Sequence, residues 1–258
     1  MNARTLFLVF LLALACAAIL PSCESKNHDG DDDSDNNGPA GMRWIDVPAG
    51  TFFMGCSPDD ADCQADESPL HAIDLSAFQI NETEVTQAQY VEVIGVDPAH
   101  FNDCVDCPVE QVSWNDALAF CLAVGGRLPT EAEWEFAARG RTSTRAYCGD
   151  DPACLDDIAW TASNSDSRTQ PVAQLEPNEY GLYDMIGNVW EWVNDWYDAS
   201  YYQYSPTSDP AGPAVGADRG MRGAAWNNAP DTTRVSYRNH DLPKDRSMVQ
   251  GFRCARDD

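Results

Sequence analysis

Apolar residues form one long uncharged run near the N-terminus of this chain. The run follows Arg4 and covers residues 6–20 without a charged side chain. It is shorter than the roughly 20 residues that a helix needs to cross a bilayer, and its length is typical of the core of a signal peptide. The small residues Ala17 and Ala18 lie near its end. We therefore predict a signal peptide over residues 1–22.

The end of this segment carries a second signal. Leu20-Pro21-Ser22-Cys23 resembles the cleavage box of bacterial lipoproteins, in which the cysteine becomes the lipidated first residue of the mature chain. We expect lipidation at Cys23, contact with the membrane through this N-terminal lipid only, and attachment to the cell envelope. Glu24 in the following position favours the outer membrane. Proline is unusual inside such a box, so a periplasmic or secreted protein is the alternative.

A polar segment follows. Residues 23–41 are rich in Asp, Asn, Ser and Gly and include three consecutive aspartates at 31–33. A segment with so little apolar surface cannot offset the entropy that it would lose on ordering. We expect a disordered acidic tether over residues 23–41, ahead of one folded domain over residues 42–258.

Within this domain, three capping boxes mark helix starts. In such a box, a hydroxyl side chain and an acidic or amide side chain three residues later satisfy each other's backbone N–H groups. The boxes begin at Thr86, Ser113 and Thr130. Glycines follow each apolar stretch and are typical of helix ends. The pattern predicts helices over residues 86–94, 113–124 and 130–138.

The rest of the domain has short strand-like runs and long loops. The runs lie at residues 44–47, 51–54, 78–80, 234–237 and 252–255. Residues 148–228 show little periodicity, yet they contain Trp160, Trp190, Trp192 and Trp196. Loops with so many aromatic side chains must pack onto a core, and we favour core positions for Trp190 and Trp192. The expected fold class is α+β with a large irregular fraction.

Charge excludes one class of partner. The chain has a formal net charge of −26 and only two lysines, Lys26 and Lys244. Proteins that bind nucleic acid need a positively charged surface to neutralise phosphates. We therefore expect no nucleic-acid partner.

The cysteines predict a disulfide framework. Eight of the ten cysteines lie in the predicted domain, and export to an oxidising compartment favours disulfides over metal ligands. Local spacing suggests three short bridges, Cys56–Cys63, Cys104–Cys107 and Cys148–Cys154. Cys121 and Cys254 remain, although eight cysteines allow 105 connectivities. A bridge between these two would stabilise the domain by roughly 4–5 kcal/mol in the chain-entropy model.

Cys104-Val-Asp-Cys107 has two other interpretations. A zinc half-site would need a second cysteine pair with similar spacing, which the sequence does not repeat. A redox-active pair normally opens a helix, whereas Pro108 follows here. A structural bridge is the favoured interpretation, and the redox and metal alternatives stay open.

Several long motifs resemble the formylglycine-generating enzyme (sulfatase-modifying factor) family. They occur in family order over roughly residues 42–256, which is the whole predicted domain. The motifs are FMG (53–55), NETEVT (81–86), PVEQVSWNDA (108–117), GRLPTEAEWEFAAR (126–139), GLYDMIGNVWEW (181–192), RGAAW (222–226) and GFRCAR (251–256). The resemblance implies a loop-rich fold related to C-type lectins, and it implies the Cys121–Cys254 bridge.

The resemblance also implies a chemistry that this chain lacks the residues for. Members of the family oxidise a sulfatase cysteine to formylglycine with molecular oxygen and copper held by two cysteines. The corresponding segment here, residues 227–234, contains no cysteine, and Asn228 stands where the first thiolate would be. Copper(I) prefers soft thiolate ligands, which amides and hydroxyls do not replace. We expect neither copper nor formylglycine generation.

A calcium site is a second implication of the resemblance. The family holds a calcium ion at the segment that corresponds to residues 184–191, and the ligands carry over as the side chains of Asp184 and Glu191 with the carbonyls of Gly187 and Val189. Mixed carboxylate and carbonyl oxygens are what Ca²⁺ prefers. The alternative is that the two carboxylates only cap turns and pair with arginines.

These observations favour a non-catalytic envelope domain that binds a peptide, a glycan or a protein partner. Trp226, Asn227 and Asn228 are the candidates for a ligand groove. Two alternatives remain. One is an oxidoreductase of the formylglycine-generating or sulfoxide-synthase type with a metal site not visible in the sequence. The other is a purely structural envelope lipoprotein.

Overall fold

Ordered structure begins before the predicted domain boundary. The computed structural model describes residues 38–58, 60–229 and 231–258, so the predicted signal peptide, Cys23 and tether residues 23–37 lie outside the described residues. Pro39–Gly41 form a 3-10 turn, and the Gly38 N–H donates to the Met42 carbonyl at 2.7 Å. The folded chain therefore includes the last four residues assigned to the tether. No helix among the described residues is long and apolar enough to span a membrane.

The three helices start where the capping boxes predict. They are α1 (Gln87–Ile94), α2 (Trp114–Ala123) and α3 (Glu131–Arg139). In the first box, Thr86 Oγ1 accepts from the Gln89 N–H at 3.2 Å, and Gln89 Oε1 accepts from the Thr86 N–H at 3.0 Å. The boxes at Ser113 and Thr130 are formed in the same way. The predicted boundaries hold within one residue because cap geometry is local.

Nine short strands form three sheets among the described residues. The strands are β1 (Trp44–Val47), β2 (Gly50–Met54), β3 (His71–Leu75), β4 (Phe78–Asn81), β5 (Trp190–Trp196), β6 (Arg219–Arg222), β7 (Asn239–Asp241), β8 (Gln250–Gly251) and β9 (Ala255–Asp257). The sheet orders are β1-β4-β9, β2-β3 and β7-β6-β5-β8. All pairs are antiparallel except β5 with β8. Long loops join these elements, which confirms the α+β, loop-rich class.

One predicted strand is wrong, and several strands were not predicted. Residues 234–237 form turns and irregular chain. Their backbone groups bond to isolated partners and not to a neighbouring strand. The Val235 N–H donates to the Arg145 carbonyl, and the Val235 carbonyl accepts from the Arg222 guanidinium. The strands β3, β5, β6, β7 and β8 had no predicted counterpart. The predicted run 252–255 contributes only its last residue, at the start of β9.

Two buried clusters make up the core. One surrounds Trp134 of α3 and includes Ile73, Phe78 and Leu182. The other surrounds Trp192 of β5 and includes α2 residues such as Phe120. Trp190 and Trp192 are 5% and 0% exposed, so they lie in the core as expected. The Trp192 indole N–H donates to the Val112 carbonyl at 3.0 Å.

Four disulfides join the eight cysteines of the domain in the predicted pairs. The bridges are Cys56–Cys63, Cys104–Cys107, Cys121–Cys254 and Cys148–Cys154. Their Cα–Cα distances run from 5.3 to 6.0 Å, inside the usual range for such bonds. The third bridge ties α2 to the residue before β9, across a sequence separation of 133.

Candidate functional site

The segment that we predicted to correspond to the family's copper-binding region, residues 227–234, begins with a tight turn. Asn228 Oδ1 accepts from the Ala225 N–H at 2.9 Å, and the Asn228 N–H donates to the Ala225 carbonyl at 2.9 Å. The Asn228 carbonyl in turn accepts from the Ala162 N–H at 3.1 Å. The Asn228 side chain therefore closes a turn.

The donor atoms in the domain do not fit a copper(I) site of the family type. Every cysteine within the described ranges 38–58, 60–229 and 231–258 is in a disulfide. A disulfide sulfur carries no thiolate charge, and copper(I) sites rely on thiolate or thioether sulfur. The described residues therefore offer no thiolate pair of the kind that the resemblance implies for copper.

The other two candidate groove residues differ in accessibility. Trp226 is half-buried, and its indole N–H donates to the Met248 carbonyl at 3.1 Å. Its ring meets Phe101 edge-on, with centroids 5.7 Å apart, and the Arg168 guanidinium lies 5.4 Å from the Phe101 ring centroid. Asn227 is exposed beside them. The structure thus places two aromatic rings next to an exposed amide at this position.

The four predicted calcium ligands lie together on a buried turn. Asp184, Gly187, Val189 and Glu191 are all buried. The turn depends on Gly187, which has φ +88°, because a Cβ there would lie 2.5 Å from the Trp160 carbonyl oxygen. Asp184 is held in the left-handed region as well, with φ +54°. The segment is therefore fixed in one conformation by packing.

Buried partners hold the carboxylates of this turn. Glu191 accepts two hydrogen bonds from Arg253, each 2.7 Å long, and one from the Trp134 indole at 2.8 Å. Asp184 accepts from the Ala173 N–H at 2.8 Å. The alternative to a calcium site was that these carboxylates only cap turns and pair with arginines. The pairing of Glu191 with Arg253 agrees with that alternative.

A third carboxylate, Glu84, belongs to the same cluster and was not identified from the sequence. Its two oxygens accept from the Val189 N–H at 3.0 Å and from the Asn188 side-chain amide at 2.7 Å. Glu84 lies in the NETEVT motif, so the family resemblance pointed to the segment without assigning the residue. Only the fold brings it next to residues more than 100 positions later.

Electrostatics leave this cluster with excess negative charge. Three buried carboxylates, Glu84, Asp184 and Glu191, face one guanidinium, that of Arg253. Burial raises the pKa of Asp184 to about 6. Burial, together with repulsion from Asp184 and Glu191, raises the pKa of Glu84 well above its usual range. A divalent cation would neutralise the excess.

The residues present fit a hard cation in charge and in donor chemistry. Glu191 Oε2 already accepts two hydrogen bonds. Glu191 Oε1, both oxygens of Glu84 and Asp184 Oδ2 accept one each, and a carboxylate oxygen has about two acceptor positions, so these atoms leave room for coordination. The three carboxylates are not tightly convergent. Among the described His, Cys, Asp and Glu side chains, one set of three has its ligand atoms within 4.8 Å of one another, namely Cys56, Asp60 and Cys63. The two sulfurs of this set are bonded to each other in a disulfide. A cation at the turn would therefore draw on the carbonyls of Gly187 and Val189.

Comparisons with known proteins identify the family. The model of the sulfatase-modifying factor enzyme 1-like domain matches residues 33–258. The chain is 33% identical to the formylglycine-generating enzyme of Streptomyces coelicolor, over 83% of this chain and 88% of that protein. It is 39% identical to a Bos taurus protein named inactive C-alpha-formylglycine-generating enzyme 2, over 58% of this chain and 50% of the other.

A solved structure gives the same assignment for the fold. Treponema denticola variable protein 1 superimposes with a TM-score of 0.77 and 32% identity, covering 84% of this chain and 95% of that one. The three helices, the short strands and the long loops together make up the C-type-lectin-related fold expected from the motifs. The chain belongs to the formylglycine-generating (sulfatase-modifying factor) enzyme family.

Proposed function

We propose that this chain is a non-catalytic member of its family that serves as a binding module at the cell envelope, anchored through a lipid on Cys23. One observation carries the proposal: all eight cysteines of the domain are in disulfides, and the segment that would hold copper contains an amide in a turn. The scaffold is retained while the metal-binding chemistry is missing. A relative named inactive supports the idea that the family includes such members.

The proposed partner-binding face consists of Phe101, Trp226 and Asn227. Aromatic rings with an adjacent arginine are enriched at the centres of protein interfaces, and exposed amides bind peptide backbones and sugar hydroxyls. Arg168 completes this set. The face adjoins residues 227–234, the segment that the family resemblance aligns with the copper-binding region, and we propose a peptide, a glycan or an envelope protein as the partner.

A copper titration tests the loss of catalysis. The purified, oxidised protein is expected to leave Cu(I) with the colorimetric chelator bicinchoninate, because no thiolate is available to compete. It is also expected to consume no oxygen with a cysteine-containing peptide. The Streptomyces coelicolor relative, treated in parallel, is the positive control. One equivalent of Cu(I) retained against the chelator, or turnover of the peptide, would refute the proposal.

The binding face is tested by substitution. Asn227→Arg should reduce binding to any ligand selected from peptide and glycan libraries by at least about tenfold, since it places a long charged side chain at the centre of the face. Asn115→Arg alters an exposed asparagine on α2, outside the face, and is the matched control. Equal binding by both variants and the unaltered protein would place the binding surface elsewhere.

Calcium is proposed as a structural ion of this domain, bound at the turn of Asp184 and Glu191. Calcium should therefore raise the Tm of the chelator-treated protein, because an ion that binds only the folded state adds about 2.7 kcal/mol at 100 times its Kd. Asp184→Ala should abolish this calcium-dependent shift. Thermal unfolding in EDTA and in excess calcium measures it.

Asp195→Ala provides the control for this experiment. Asp195 is as buried as Asp184 and likewise accepts a backbone N–H, at 2.9 Å, but lies outside the turn. Its loss should lower stability without changing the calcium-dependent shift. A shift that survives in Asp184→Ala would mean that calcium binds at another position.

A further inference from the structure

A cavity of about 480 Å³ lies away from both sites described above. It is bounded by the turn between β1 and β2, by β2 itself, and by the end of α3 with the residues that follow it. Its volume falls within the range of small-molecule sites, roughly 300–1,000 Å³. Neither the binding face nor the calcium turn contributes to its lining.

Aromatic side chains form the wall of this cavity. Phe52 and Phe136 have ring centroids 5.1 Å apart, and Phe136 and Tyr180 have centroids 6.1 Å apart. Gly50 lies against the same wall, where a Cβ would come within 3.0 Å of the Phe136 ring. Phe53 is 62% exposed at the rim. Such a wall offers flat apolar surface to a ligand ring, since aromatic pairs favour offset or edge contacts at these distances.

Arg141 supplies an uncompensated positive charge at this wall. Its guanidinium carbon lies 5.2 Å from the Tyr180 ring centroid, and its side chain is exposed. It makes no hydrogen bond or ion pair with the described residues. Every other described arginine makes at least one. In a chain of net charge −26, such an arginine is unusual.

The remaining lining of the cavity favours an anion. Arg139 also contributes, but its charge is compensated by Glu135 at 2.7 Å. No aspartate or glutamate is among the described residues that line the cavity. Thr142 and Ser143, which carry hydroxyl groups, directly follow Arg141 in the sequence and also line it. Arg141 has φ +73°, a conformation that costs energy for any residue with a Cβ, so the surrounding fold imposes it.

We propose that this cavity binds a small aromatic carboxylate, with the ligand ring against Phe52, Phe136 and Tyr180 and the carboxylate paired with the Arg141 guanidinium. A guanidinium forms two parallel hydrogen bonds with a carboxylate and also tolerates stacking on an aromatic face. The inference does not depend on the proposed loss of catalysis or on the partner-binding face, because it uses different residues.

The experiment uses 2-naphthoate as the probe and 2-naphthamide as its neutral analogue. Both are titrated into the full chain and followed by calorimetry and by ligand-observed NMR. 2-Naphthoate is expected to bind at least about tenfold more tightly than 2-naphthamide, because only the carboxylate can form a charge-assisted contact with Arg141. Acetate, which lacks the ring, should not bind measurably.

Two variants separate this site from adventitious binding. Arg141→Gln should weaken 2-naphthoate by about tenfold and leave 2-naphthamide unchanged, because only the charged contact is removed. Lys244→Gln removes an exposed cation far along the chain and should change neither. Arg141 is exposed, so its variant is expected to fold, which the thermal unfolding curve verifies. No saturable 2-naphthoate binding, equal affinity for the two probes, or an unchanged Arg141→Gln variant would overturn the proposal.

Discussion

Arg222→Met is expected to lower the free energy of unfolding by about 3–5 kcal/mol, because it removes one of the two arginines that pair with each of two buried glutamates. Arg222 is 0% exposed and bridges two glutamates of α3, Glu131 at 2.9 Å and Glu135 at 2.6 Å. Burial alone would raise the pKa of Glu131, but attraction by Arg238 and Arg222 lowers it to about 2. The ionised cluster thus depends on its arginines.

Urea denaturation followed by tryptophan fluorescence measures this loss, and Arg43→Met is the matched control. Arg43 also forms an ion pair with a glutamate, Glu82, at 2.6 Å, but its side chain is 50% exposed. Exposed pairs contribute about 0–1 kcal/mol. Similar losses in the two variants would contradict the view that buried ionic clusters hold this domain together.

Replacing both Cys121 and Cys254 by alanine is expected to cost roughly 5 kcal/mol, the largest effect among the four disulfides. The bridge closes a separation of 133 residues, and in the chain-entropy model the stabilisation grows with the logarithm of the loop length. Both sulfurs are fully buried, so alanine also leaves a small cavity beside Phe120 and Phe252.

The corresponding double substitution at Cys148 and Cys154 is the comparison. Its separation is six residues, for which the same model gives about 2 kcal/mol. Unfolding in denaturant, with the free energies extrapolated to water, measures both losses. If the short bridge proves as important as the long one, chain entropy is not the reason for the stability of this fold.

Helix positions were predictable from the sequence, whereas most strands were not. The capping boxes at Thr86, Ser113 and Thr130 are local, so four consecutive residues are enough to locate a helix start. The strands β5 and β6 contain buried Glu191, Asp195 and Arg222. A pattern of hydrophobic positions cannot recognise strands whose buried side chains are polar and bonded to partners far away in the sequence.

The candidate site was predictable only in part, because some of its contacts join residues that are far apart in the sequence. The absence of cysteine from residues 227–234 can be seen directly in the sequence. The role of Asn228 in closing a turn and the approach of Glu84 to Val189 depend on hydrogen bonds that form only in the fold. The cavity around Arg141 was not foreseen, because its walls come from β2, α3 and the loop containing Tyr180.

The position of β4 between β1 and β9 has a kinetic consequence. Strand β4 can complete its pairing only when segments from opposite ends of the domain reach it. Closing the loop between distant segments lowers the chain entropy before their contacts stabilise the fold. This domain should therefore fold more slowly than a helical bundle of equal length. Until β9 docks, one edge of β4 stays open to pairing with another molecule. A chaperone that shields this edge during the delay should therefore raise the yield of native protein.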